Sequence, residues 1–90
     1  MAYRVELSAD FEKSLAKLPR ETARRILTGL REVENLEDPR SRGKALTGPL
    51  RGLWRYRMGD YRVVCDIRDD VLVVVALRAG HRREVYRKLR

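Results

Sequence analysis

A chain of 90 residues has room for a single domain, residues 1–90, with one modest core. Its 21 Lys and Arg outweigh 13 Asp and Glu for a net charge of +8, and 17 of those 21 are arginine. Arginine grips phosphate through a planar, two-pronged fork, so this balance points to nucleic acid or an acidic protein partner. The single cysteine, Cys65, excludes an intrachain disulfide. With only one histidine, His81, beside it, zinc sites built on paired cysteines and histidines or on a cysteine quartet are excluded too. No apolar signal region opens the chain, and its longest apolar run, residues 71–77, is too short to span a bilayer. The expectation is a soluble, cytoplasmic chain that needs no membrane.

In chain order, residues 3–7 alternate apolar and charged side chains and predict a half-buried strand. Ser8 is a good N-cap for a helix carrying Phe11, Leu15 and Leu18 along one side. Pro19 stands at the junction with a second helix, whose apolar stripe is Ala23, Ile26, Leu27, Leu30, Val33 and Leu36. Asp38-Pro39 ends this helical hairpin, and residues 39–52 form a basic, turn-rich connection. Three strands follow: 53–57, 61–68 and 71–78, joined by Gly59-Asp60 and Asp69-Asp70 as two-residue turns. A short basic tail, residues 82–90, closes the chain. The order predicts an α+β fold: an N-terminal strand, then a helical hairpin packed on an antiparallel sheet, then the tail.

Charge is uneven along this order. Residues 1–45 carry 10 basic and 8 acidic groups, a net of +2, whereas residues 46–90 carry 11 and 5, a net of +6. With Gly59 and Asp60 as the loop, Met58 faces Tyr61 and Arg57 faces Arg62. Directly opposed residues share a sheet face, so Arg55, Arg57 and Arg62 fall on one side. Trp54, Tyr56, Val63, Cys65 and Ile67 fall on the other, joined there by Leu72, Val74 and Ala76, and this side is the natural bed for the helices. Cys65 is then a core residue. Three arginines crowded on the opposite face repel one another unless an anion sits among them.

His81, just beyond the last strand, is the one side chain that ordinarily titrates near neutral pH, and Arg82, Arg83 and Tyr86 follow it. There is no second histidine, no phosphate-cradling glycine loop and no acidic pair to hold a metal, so no cofactor is expected. Such a site can stabilise a phosphate transition state by charge. RNA supplies its own nucleophile, the 2′-hydroxyl, so the residues alone carry the reading to a basic α+β domain with an RNA phosphate site.

The run Leu50-Arg51-Gly52-Leu53-Trp54-Arg55-Tyr56-Arg57-Met58-Gly59-Asp60-Tyr61-Arg62-Val63-Val64, with the later run Arg78-Ala79-Gly80-His81-Arg82-Arg83-Glu84-Val85-Tyr86, resembles the RelE branch of the RelE/ParE toxin superfamily. The resemblance covers nearly the whole chain. It implies a toxin of a type II toxin–antitoxin pair: a metal-independent, ribosome-dependent endoribonuclease that cleaves mRNA in the A site and stops translation. Its implied partners are an acidic RelB-like antitoxin, the ribosome with its mRNA, and operator DNA only together with the antitoxin.

The resemblance assigns Arg62 to the scissile phosphate, Arg55 and Arg57 to positions held by two lysines in other members, Arg82 to the arginine after the last strand, and Tyr86 to the C-terminal tyrosine. Arginine stays protonated, so Arg57 suits charge stabilisation better than base catalysis, and His81 becomes the candidate for proton transfer. Arg40, Arg42, Lys44 and Arg51 are expected to contact ribosomal RNA. Two alternatives stand beside this expectation: a ParE-like inhibitor that binds DNA gyrase, and an inactive superfamily member that binds only antitoxin and operator DNA.

Overall fold

The computed structural model describes residues 3–87, so residues 88–90 of the expected tail lie outside the described residues. Strand β1 (Arg4–Leu7) leads into helices α1 (Ala9–Ala16) and α2 (Arg20–Glu34), followed by β2 (Lys44–Ala45), β3 (Trp54–Met58), β4 (Tyr61–Arg68) and β5 (Val73–His81). A 3₁₀ turn, Arg82–Tyr86, follows the last strand. Ser8 caps α1 as expected, its Oγ accepting the Phe11 N–H at 3.0 Å. Pro19 precedes α2, whose stripe Ile26, Leu30 and Val33 is buried.

The strands lie in the order β1-β5-β4-β3-β2. Three pairings are antiparallel, but β1 runs parallel to β5, so the sheet is mixed rather than wholly antiparallel. A parallel pair needs a long crossover, and here everything from α1 to β4 separates the two strands. The short β2, inside the connection, is an element the sequence reading lacked.

The helical hairpin covers one sheet face. Phe11, Ile26, Leu30 and Val33 pack there against Tyr56, Val63, Cys65, Val74, Ala76 and Ala79. Cys65 is fully buried, which pushes its thiol well above the ordinary range and makes it a small hydrophobe. Buried Ser14 fastens α1 to β5: its hydroxyl donates to the Phe11 carbonyl at 2.7 Å and accepts the Ala79 N–H at 2.9 Å. A smaller cluster forms on the other face, where Leu53, Val64 and Val85 gather Leu46, Leu50, Leu77 and Tyr86. This second cluster seats the 3₁₀ turn against the sheet.

Two details of β4 and β5 decide which side chains share a face. The connection spans residues 69–72, because Arg68 faces Val73 rather than Val71. Leu72, expected on the helix side, lies instead in that turn with φ +57°, and its carbonyl accepts the Arg4 N–H at 3.0 Å. The slip is two residues, so Val74 and Ala76 keep their expected side. Further along, Val64 faces Arg78 while Cys65 faces Ala76, a β-bulge that leaves Leu77 as the extra residue. The bulge turns Arg78 away from the helices and His81 towards the face that holds Tyr61.

Candidate functional site

The β3–β4 hairpin has the register read from sequence: Met58 faces Tyr61 and Arg57 faces Arg62. Gly59, with φ +64°, occupies the first turn position, where a two-residue hairpin of the II′ kind wants glycine. Arg55, Arg57 and Arg62 therefore share the face away from the helices. Lys44 lies opposite Arg55 across β2–β3, extending the basic row to the sheet edge.

The 3₁₀ turn folds over this face and closes a cleft of about 370 Å³ lined by Arg55, Arg57, Asp60, Arg62, Arg82 and Tyr86. Two contacts tie it to the hairpin. The Arg55 Nη1 donates to the Tyr86 hydroxyl at 3.4 Å, and the Arg82 N–H donates to the Asp60 carbonyl at 3.3 Å. Arg82 holds φ +43°, a left-handed conformation that costs a non-glycine residue roughly 1–3 kcal/mol and gathers at functional sites. Glycine at position 80 suits the same packing, since a Cβ there would stand 3.1 Å from the Val85 Cα, closer than most such contacts. Arg57 is steadied by its Nε–H, which donates to the Gly59 carbonyl at 3.1 Å.

Five of the residues singled out from sequence thus meet in one cleft: Arg55, Arg57, Arg62, Arg82 and Tyr86. His81 does not join them. It pairs with Tyr61, and the two rings meet edge to face with centroids 5.1 Å apart, outside the cleft lining. The bulge after Val64 is the reason, because it moves His81 to the face of Tyr61.

The expected RNA contacts are scattered. Arg40 is held in a two-pronged ion pair by Asp69, at 2.9 and 3.0 Å, and Tyr3 donates to the same carboxylate. That pairing keeps the Asp69 carboxyl below its usual range, through Arg40 first and Tyr3 second. Arg42 pairs with Glu32 at 3.1 Å. Arg42 and Lys44 line a neighbouring cleft of about 400 Å³ between α2 and β3, which shares Arg55 and Arg57 with the first. Arg51 is exposed in the turn before β3.

Two residues of this face escaped the sequence reading. Asp60 lines the cleft, though it reads from sequence only as a turn residue. Arg78 faces Val64 on the cleft side, and its Nε, like that of Arg55, is buried without a hydrogen-bond partner. No sequence signal marks the bulge that puts it there. Among the described residues, no three His, Cys, Asp or Glu side chains cluster as a metal site would need.

The chain thus carries a helical hairpin on one sheet face of an α+β domain and an arginine-lined cleft on the other, and comparisons with known proteins show the class of small toxin to which it belongs. Residues 5–86 match the family model described as the ParE toxin of the type II toxin–antitoxin system parDE. The chain is 34% identical over 91 residues to the toxin RelG of Mycobacterium tuberculosis, covering 98% of this chain and 100% of RelG. Among solved structures, the RelBE2 toxin–antitoxin complex of M. tuberculosis matches with TM-score 0.70 and 33% identity, covering 91% of this chain and 100% of that one. The archaeal RelE–RelB complex of Pyrococcus horikoshii matches with TM-score 0.69 and 32% identity, over 92% and 98% of the two chains. This chain belongs to the ParE toxin family of type II toxin–antitoxin systems, within the RelE/ParE superfamily.

Proposed function

We propose that this toxin is a ribosome-dependent endoribonuclease that cleaves mRNA in the A site and thereby stops translation. The observation that carries the reading is the cleft itself, where Arg55, Arg57, Arg62 and Arg82 converge with Tyr86. Four guanidinium groups in one cleft are costly without an anion, and an RNA phosphate is the anion they fit best. Cleavage begins when the 2′-hydroxyl attacks the adjacent phosphorus. Negative charge then builds on the phosphate oxygens, where Arg62 and Arg82 stabilise it and Arg55 and Arg57 hold the strand. Fixed donors of this kind typically contribute about 100- to 1,000-fold each in rate. Tyr86 then stacks on a base or gives a proton to the leaving oxygen.

Its partners in this reading are an acidic antitoxin of the RelB kind, the ribosome with its mRNA, and operator DNA bound only with the antitoxin. The excess of +8 favours both the RNA and an acidic partner. The toxins of the M. tuberculosis and P. horikoshii complexes were solved with their antitoxins, which supports a protein partner of that class. We place its action in the cytoplasm, where ribosomes are; no helix among the described residues is long and apolar enough to cross a membrane.

One finding favours a second reading. The matching family model bears the name of ParE, so a toxin that binds DNA gyrase without cutting RNA is the alternative. Induction in cells, with new mRNA 5′ ends mapped alongside DNA supercoiling, separates the two. Cuts phased to codons support the nuclease, whereas gyrase-linked DNA breaks with intact mRNA support the alternative.

A further inference from the structure

The arginines and the tyrosine of the cleft leave the reaction without a proton acceptor. Guanidinium groups stay protonated, and His81 lies outside the cleft, against Tyr61. Asp60 is the one acid among the six lining residues. Its backbone is fixed at two points: it follows Gly59 in the hairpin turn, and its carbonyl accepts the N–H of Arg82, the strained first residue of the 3₁₀ turn. Among the described residues its carboxylate forms no ion pair, unlike the acids that hold Arg40 and Arg42.

We propose that Asp60 is a catalytic residue of this toxin, the acceptor of the 2′-hydroxyl proton. The inference rests on the nuclease reading above. As the bond from O2′ to phosphorus forms, the O2′ proton passes to the Asp60 carboxylate. The bond from phosphorus to O5′ then breaks, and the departing oxygen takes the phenolic proton of Tyr86. The products are a 2′,3′-cyclic phosphate and a 5′-hydroxyl. Asp60 returns its proton to water and Tyr86 regains one from water, so the site is restored without a co-reactant. The charged and titratable groups that line the cleft with Asp60 are Arg55 and Arg57 from β3, Arg62 from β4, and Arg82 and Tyr86 from the 3₁₀ turn, and the Arg25 guanidinium of α2 lies beside the adjoining Gly59.

The test uses purified toxin and ribosomes carrying an mRNA with a defined A-site codon. Single-turnover cleavage is followed, with ribosome affinity measured separately. Asp60→Asn keeps the turn and its backbone carbonyl while removing the base. It is expected to cleave about 100-fold or more slowly, with ribosome affinity unchanged. Asp60→Glu is expected to recover part of the rate. An Asp60→Asn protein that cleaves within a few-fold of wild type overturns the role of Asp60 and leaves the nuclease reading standing. Equal loss of ribosome affinity in both variants, with no recovery in Asp60→Glu, makes Asp60 structural and also overturns it. Intact mRNA with the wild-type toxin overturns the nuclease reading, and the proton acceptor with it.

Discussion

Arg57 of β3 and Arg62 of β4 stand directly opposite each other, one pair in from the Gly59-Asp60 turn. Like charges so placed destabilise a sheet by up to about 1 kcal/mol, and this pair does so on the face where the cleft lies. A cost to the fold at this position fits the phosphate site proposed for this cleft.

Arg62→Ala removes one partner of that repulsion and one ligand of the phosphate. Cleavage is expected to fall by at least about 100-fold, while the melting temperature holds or rises slightly. Antitoxin binding should stay nearly intact. Growth-arrest assays beside thermal melts and antitoxin titration check this, and undiminished arrest by the variant would refute the phosphate assignment.

His81→Gln is expected to cleave within a few-fold of wild type. The residue pairs with Tyr61 and spends its ring on an edge contact outside the cleft. Losing that contact costs at most about 1 kcal/mol of stability, visible as a small drop in melting temperature. A hundredfold loss of rate on ribosomes would return His81 to the mechanism.

Gly80→Ala places a methyl group 3.1 Å from the Val85 Cα and 3.2 Å from its nitrogen. Both are backbone atoms, so the 3₁₀ turn has to shift by a few tenths of an ångström against the sheet. We expect about 1–3 kcal/mol of destabilisation in urea titrations. Cleavage should fall as well, because Arg82 and Tyr86 move with that turn. Full activity in a destabilised variant would separate the turn from the cleft.

Asp69 offers a test by pH. Its carboxyl lies below its usual range, held there by Arg40 and then by Tyr3. A carboxylate with a depressed folded value stabilises the fold above its unfolded value of about 3.9, and that stabilisation fades as pH falls through the folded value. Asp69→Asn should therefore melt below wild type at neutral pH, with the gap closing in more acidic buffer. High salt should narrow the gap too, since the pair is exposed. Melting curves over this range check both trends, and a gap that widens in acid contradicts the assignment.

Much of the architecture was legible in the chain because its signals are local. Ser8 caps a helix through a bond three residues away, and the stripe of α2 repeats with the helical period. Gly59-Asp60 set the hairpin register, and with it the shared face of Arg55, Arg57 and Arg62, because a glycine at the first turn position pins the loop to two residues.

What only the tertiary structure decided depends on one inserted residue and on contacts between distant segments. Leu77 enters β5 as a bulge, and side chains in a strand alternate, so that single residue moves Arg78 to the cleft side and His81 to the face of Tyr61. Arg40 reads as a free basic residue until Asp69, 29 positions away, is seen to hold it. Asp60 reads as a turn residue until the 3₁₀ turn folds across and forms with it and the arginines the lining of one cleft. The sequence by itself determined the class of fold and three arginines of the site through short-range periodicity. Which groups stand beside them depends on long-range packing that no local pattern encodes.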